Sequence, residues 1–407
     1  MFLTDVLILL AVANAWAAHS VSSWQINFGK MAFPGWAATA FLLYMGFRAF
    51  FGPDFFTLDW ARDVVPFLYS ALALLSAAGY AASGPLGRAK TMQILWWALN
   101  GHLAWTLLVN FGLINPESTP QMPGATDGVT VFAQRVDVDM AVLGMTASLY
   151  LRRIIMGKRR LLSAIGMSLS LVALFGLGSR AGLLAALVAM GIVYSCTLVA
   201  HWNPRSRLRL LLLAPLTVVL AAVLLPQTEA GQRLLAGSGA IEAIQPHEQG
   251  ALGTTQSREQ AWSQLMEWTN EDPTRAWVGA GFGPNIIQEA GIEDTLSGTD
   301  YEGVRSPHSW FVGIYARTGT IGLSFTAVVL AVLLAHMWRI RQLIGSTELL
   351  TLAAAGVSAV LVVAALGVVL ESPFGAVPFW WFVGLLMAER RTQAPQLSTE
   401  TPGLVTA

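Results

Sequence analysis

Forty nearly continuous apolar residues, Leu161 to Ala200, constrain this chain more than any other stretch. The run is broken only at Gly178, Ser179, Arg180 and Gly182, and basic clusters flank it on both sides, Arg152 to Arg160 before and Arg205 to Arg209 after. A hydrocarbon core about 30 Å thick takes roughly 20 residues of helix, so the run holds two crossings. Lys and Arg in short loops mark one side of the membrane. The chain must therefore go out and come back, reversing at Gly-Ser-Arg-Ala-Gly, where glycine supplies turn geometry. Arg180 is thereby placed at the outer boundary, either as an arginine snorkelling to headgroups or as part of an anion site.

Similar windows fall near 2–18, 33–51, 63–82, 91–114, 137–151, 208–226, 320–338, 348–370 and 374–388. A chain with 55% hydrophobic and 12% charged residues is not an ordinary soluble protein, whose charged share is about a quarter. The expected fold is an all-α polytopic transmembrane helical bundle of about 11–12 spans, with one long outer loop containing short amphipathic helices. The division is residues 1–226, an N-terminal bundle; 227–319, the loop; 320–388, C-terminal membrane helices; and 389–407, a disordered inner tail rich in Gln, Thr and Pro. Phe2 to Ala18 reads as an uncleaved first span, since Asp5 stands where a signal peptide needs positive charge. Cys196 is the sole cysteine, so this chain alone builds neither a disulfide nor a thiolate metal site. No basic surface points to nucleic acid.

The segment from Gln227 to Gly319 carries no lysine, five arginines and twelve acidic residues, so each arginine there needs a local reason. Ser257 and Gln260 read as a capping box, and Ala261, Trp262, Leu265 and Met266 as the apolar stripe of a short helix. Arg258 then becomes the first helical residue, where a cation opposes the macrodipole by about 0.3–1 kcal/mol. An anion would reverse that sign, with the free N–H groups as added donors; a salt bridge to a local carboxylate is the alternative. The turn GAGFGPN, Gly279 to Asn285, lacks the strand and helix of a dinucleotide fingerprint and reads as a structural turn.

If a membrane helix began at His308, Arg317 would lie about 13 Å into the bilayer at 1.5 Å per residue, a costly place for a charge. The span is expected to start near Gly319 instead. Ser309 to Arg317 becomes a short interfacial helix with Trp310, Phe311, Ile314 and Tyr315 on its apolar side, and His308 heads it, facing the outer solution. Asp137 and Asp139 have a spacing with which some enzymes hold a divalent metal, but helix capping accounts for them and no metal site is assigned. His102 and Asn100 lie inside a span, where they bond between helices or serve function. Glu371 sits at an outer turn, as part of the site or as a helix cap.

Together, the hairpin arginine in GSRAG, the segment SREQAW, the turn GAGFG, and PHSWFVGIYARTGTIGL resemble the bacterial O-antigen ligase and O-antigen polymerase superfamily. Order and spacing match over roughly Leu161 to Arg341; Ser309 stands where the common form has Asn. The resemblance implies an inner-membrane glycosyltransferase with its site on the periplasmic face. Its donor would be a glycan on undecaprenyl diphosphate, and its acceptor a hydroxyl of the lipid A-core or of another lipid-linked glycan, as O-antigen ligase or as O-antigen or exopolysaccharide repeat-unit polymerase. The diphosphate already activates the sugar, so neither nucleotide, cofactor nor metal is called for. Arg180 and Arg258 would stabilise charge on the diphosphate, and His308 would take the acceptor proton or orient the phosphate. Arg305, Ser309 and Glu371 are the candidate supporting residues. The competing class is a polytopic transporter or lipid-linked oligosaccharide flippase, whose expected signatures are internal repeats and helices broken at the midplane; here the polar residues gather at the outer edge instead.

Overall fold

A computed structural model describes residues 33–52, 54–121, 130, 132–201, 225–227, 229–238, 240–242, 246–296 and 303–389. The expected first span at 2–18, nearly all of 208–226 and the tail from 390 lie outside the described residues. The fold is all-α, with one isolated bridge, Gln121 to Thr130, as the β pairing among the described residues. In chain order the helices are α1 (Phe33–Phe50), α2 (Leu58–Leu68), α3 (Ala71–Ala82), α4 (Pro85–Asn110), α5 (Val136–Ile155), α6 (Arg160–Phe175), α7 (Arg180–Ala200), α8 (Glu229–Gly237), α9 (Pro246–Glu271), α10 (Pro273–Val278), α11 (Ile286–Glu289), α12 (Glu293–Leu296), α13 (Trp310–Arg339), α14 (Arg341–Ser346), α15 (Glu348–Ala365) and α16 (Pro373–Ala388). Among the described residues, four helical stretches are long and apolar enough to cross a membrane: 58–82, which joins α2 to α3, and α7, α13 and α15. The shorter α6 and α16 are apolar as well.

The Leu161–Ala200 run folds as expected, α6 ending at Phe175 and α7 opening at Arg180. Ser179 caps α7 by accepting the Gly182 N–H at 3.1 Å. Its own hydroxyl donates to Asp137 at the head of α5, which explains that carboxylate as part of the turn. Asp139 accepts the Arg135 N–H and pairs with His102 on α4. Asn100 accepts from Tyr150. These polar groups of the bundle are partnered between helices, a common arrangement in membranes.

The main core joins α1, α3, α5, α7, α13, α15 and α16 around fully buried residues such as Phe41, Ala189, Ala353 and Phe379. The long polar segment has a second small core of its own. Ala261 and Leu265 of α9 meet Ile286, Ile287, Ile292 and Leu296, with Ala316 of α13 against them. That core fixes α9 to the first half of α13.

Two expectations change. No helix starts at Ser257: α9 begins at Pro246 and runs unbroken through Arg258. Proline is pre-organised for the first helical turn, and the Thr and Ser residues before Arg258 do not interrupt the helix it starts. Arg258 thus lies about three turns in, beyond the reach of the terminal dipole. The buried stripe is also rotated, since Ala261, Leu265 and Thr269 are buried while Met266 is exposed.

The expected break in α13 is present. Gly319 has φ 64° and ψ −168° inside the helix, a conformation essentially confined to glycine. The carbonyls that this break leaves open are satisfied by the glycine turn: Ala280 N–H donates to Ala316 O at 2.8 Å and Gly281 N–H to Arg317 O at 2.9 Å. The backbones touch so closely that a methyl at Gly279 would lie 2.1 Å from the Arg317 carbonyl carbon, and one at Gly319 2.3 Å from that of Trp277. GAGFG is therefore the cap of a broken helix, as a structural turn should be.

Candidate active site

Three segments meet beside the first half of α13. The first is one face of α9. Thr255, Arg258 and Trp262 recur at three- and four-residue spacing and so share that face. Thr255 accepts a hydrogen bond from Arg180 at 2.8 Å, Arg258 donates to the Leu366 carbonyl at the end of α15 at 2.8 Å, and Trp262 donates its indole N–H to the Pro307 carbonyl. Arg180 and Arg258 are thereby brought to neighbouring turns of one helix from chain positions far apart.

The second segment is 303–309. His308 adopts φ 52°, a left-handed conformation uncommon outside glycine that histidine takes more readily than most residues. The Trp262 bond to Pro307 holds it from one side. From the other, Trp310 N–H donates to the Gly367 carbonyl at 3.2 Å. His308 does not face open solution as expected; it is half-buried and lines a cavity. Burial, together with the nearby Arg258 charge, pushes its pKa down to about 4. The imidazole is neutral at pH 7. Ser309 is buried as the cap residue of α13, though its side chain makes no capping bond.

The third segment is the 366–371 turn, whose Glu371 reaches the same cavity. Burial raises the Glu371 pKa, against the pull of Ser306 and Arg317. The cavity measures about 350 Å³ and is lined also by Arg62, Asp63, Pro66 and Phe67 of α2. There Asp63 pairs with Arg317 at 2.8 Å, both side chains 7% exposed. Asp63 also accepts the Gly283 N–H at 3.2 Å and lies 3.8 Å from Arg305. Arg305 in turn donates to the Gly283 carbonyl at 2.7 Å and pairs with Asp59 at 3.2 Å.

The structure therefore gathers Arg258, Arg305, His308, Ser309 and Glu371, with Arg180 tied to them through Thr255. Sequence reasoning missed Asp63, Arg62 and Arg317 as members of the cavity. The signal was present: Asp63 at the head of one expected span and Arg317 ahead of another are opposite charges near hydrocarbon, a placement that calls for pairing. Among the described residues, no three His, Cys, Asp or Glu side chains are grouped to hold a metal ion.

Residues 165–327 match the O-antigen ligase family. The match runs from α6 past the break in α13 and includes Arg180, Arg258, Arg305, His308 and Ser309, with Asp63 and Glu371 outside it. No curated protein matches the chain.

Proposed function

We propose that this chain, whose residues 165–327 match the O-antigen ligase family, transfers a glycan from undecaprenyl diphosphate to an acceptor hydroxyl at the periplasmic face of the bacterial inner membrane. A lipid-linked glycan transferase of the ligase or polymerase kind is what the family supports. The observation that carries the finer reading is the meeting of Arg180 and Arg258 on one face of α9, with His308 near Arg258 and lining the adjoining cavity.

The chemistry follows from the charges. When an acceptor oxygen attacks the anomeric carbon, the bond to the diphosphate breaks and negative charge accumulates on the leaving group. Two fixed guanidiniums aimed at that charge stabilise the transition state more than the ground state. Arg258 and the neutral His308 are neighbours, so an anion drawn to the arginine also meets the imidazole. Membrane lipids supply the surface along which a polyprenyl donor and a lipid-anchored acceptor arrive.

The test is transfer from purified undecaprenyl-diphosphate glycan in proteoliposomes. His308→Ala should remain folded in the membrane while losing transfer; flipping of donor with no transfer by the wild-type protein would favour a transporter. The surface-polysaccharide profile of a deletion strain separates the two enzymes. Single repeats on the core mean a missing polymerase; lipid-linked polymer without core attachment means a missing ligase, with lipid A-core as the acceptor. Cysteines placed near Ala251 and Asp300 should react with an impermeant thiol reagent from outside, and one near Lys158 should not; the reverse pattern would overturn the periplasmic assignment.

A further inference from the structure

The geometry points to Glu371 as the group that takes the proton from the attacking hydroxyl, with the acceptor sugar seated in the cavity between α2 and residues 303–308. This rests on the glycosyl-transfer reading above and assigns the acceptor side of it. The cavity, about 350 Å³, lies at the small end of ligand pockets, roughly 300–1,000 Å³. It suits the terminal sugar of an acceptor better than a whole glycan.

Among the described residues, two carboxylates reach this cavity, Asp63 and Glu371, and they differ in what already occupies them. Asp63 is engaged by Arg317, Arg305, Arg62 and the Gly283 N–H. Glu371 forms no ion pair with any described residue; a hydrogen bond from Ser306 and the more distant charges of Arg317 and Arg62 are what act on it. Its carboxylate packs against a helix position without a side chain, since a methyl at Gly313 would come 2.9 Å from Glu371 Oε1. The position is thus cleared for this carboxylate, while its neighbour is committed to holding the arginines.

The groups facing Glu371 are His308 and Arg305 from the 303–308 segment, Arg317 from α13, and Arg62 and Asp63 from α2. Burial raises the Glu371 pKa and lowers that of His308 to about 4. A general base works best when its pKa lies near the working pH, so the shifts move Glu371 toward that role and His308 away from it. In the step, the acceptor oxygen bonds to the anomeric carbon and its proton passes to Glu371. The bond from that carbon to the phosphate oxygen breaks, its electron pair leaving with the diphosphate beside Arg258 and His308. Glu371 then returns the proton to water.

The experiment measures kcat against pH, and KM for the undecaprenyl-diphosphate glycan, for full-length protein in proteoliposomes. Absence of transfer by the wild-type protein would sink the transfer reading itself, before any variant is compared. Given wild-type transfer, Glu371→Gln should lower kcat by about 10²–10⁴, leave the donor KM within about threefold, and abolish the acid limb of the profile. Glu371→Asp should keep the limb at reduced kcat. Gly313→Ala, which displaces the flexible end of Glu371 without altering its chemistry, should lower kcat at unchanged donor KM. The proposal is overturned if Glu371→Gln stays within tenfold of wild type, or if it keeps the wild-type acid limb.

Discussion

Replacing Asp63 by Asn should destabilise the protein through the arginines it leaves behind. At 2.8 Å from Arg317 the attraction is about 6 kcal/mol at an effective dielectric of 20. Removing water from both ions offsets much of that, and loss of one partner from such a buried pair costs about 3–5 kcal/mol, mostly as the uncompensated charge of the other. After the substitution Arg317 would retain the Pro284 carbonyl at 3.4 Å, a weak acceptor for a guanidinium that is 5% exposed. Arg305 would also lose a contact, at 3.8 Å. Neutralising both partners, in Asp63→Asn with Arg317→Gln, removes the stranded charge and should recover most of the loss, with a coupling of about 2 kcal/mol or more. The assay is the thermal midpoint of all four proteins in one detergent. Additive shifts of the two singles, or an Asp63→Asn protein that melts with the wild type, would refute the reasoning.

Four further outcomes are expected. Arg180→Lys and Arg258→Lys should keep more transfer than the alanine variants because the charge persists while the bidentate fork is lost; the double alanine variant should lose less than the product of the single losses if both act on one leaving group, and strictly multiplicative rates would separate them. Gly319→Ala should lower the thermal midpoint, since its backbone conformation alone costs a side-chain-bearing residue about 1–3 kcal/mol and its methyl meets the Trp277 backbone; Gly46→Ala, with open space around it, should not. His308 is held neutral with a pKa of about 4, whereas the unfolded chain takes up that proton near 6.5, so stability should be lost as pH falls from about 6.5 to 4; comparing acid unfolding of wild type and His308→Gln checks this, and identical curves would contradict it. Transfer should survive a strong chelator, since arginines supply the positive charge; complete loss restored by magnesium or manganese would point to a metal-assisted reaction.

Strictly local residue patterns are legible in the sequence alone. A forty-residue, nearly continuous apolar run that turns at Gly-Ser-Arg-Ala-Gly reads as a hairpin of helices, which α6 and α7 are, and an arginine nine residues after His308 demands that the membrane helix start late, where Gly319 does break it. Arg258 stands out in the sequence for a reason that the fold does not keep. Its expected helix start dissolves because Pro246 begins the helix earlier, and what distinguishes the residue is the face it shares with Thr255 and Trp262. Asp63 is harder to read because its partner is 254 positions away in sequence, and no period or motif encodes such a distance. The glycine turn is legible as a turn; that its N–H groups close a helix more than thirty residues later is not.

The break at Gly319 also has a mechanical meaning. Ahead of it, the first part of α13 is clamped by α9, by the 279–281 backbone and by Asp63. Beyond it, the rest of the helix presents Val328, Leu334 and Trp338 outward, the surface of a rod lying in lipid. A span accommodates a thicker or thinner bilayer by tilting, at a modest cost for each ångström of mismatch. The break at residue 319 thus separates the stretch that carries Val328, Leu334 and Trp338 from the stretch that carries Arg317, and each is held by its own partners, the main core on one side and the 277–281 backbone on the other. If transfer occurs beside Arg317 and His308, turnover is expected to stay nearly level across vesicles of differing acyl length, and a steep dependence would show that the two stretches tilt together.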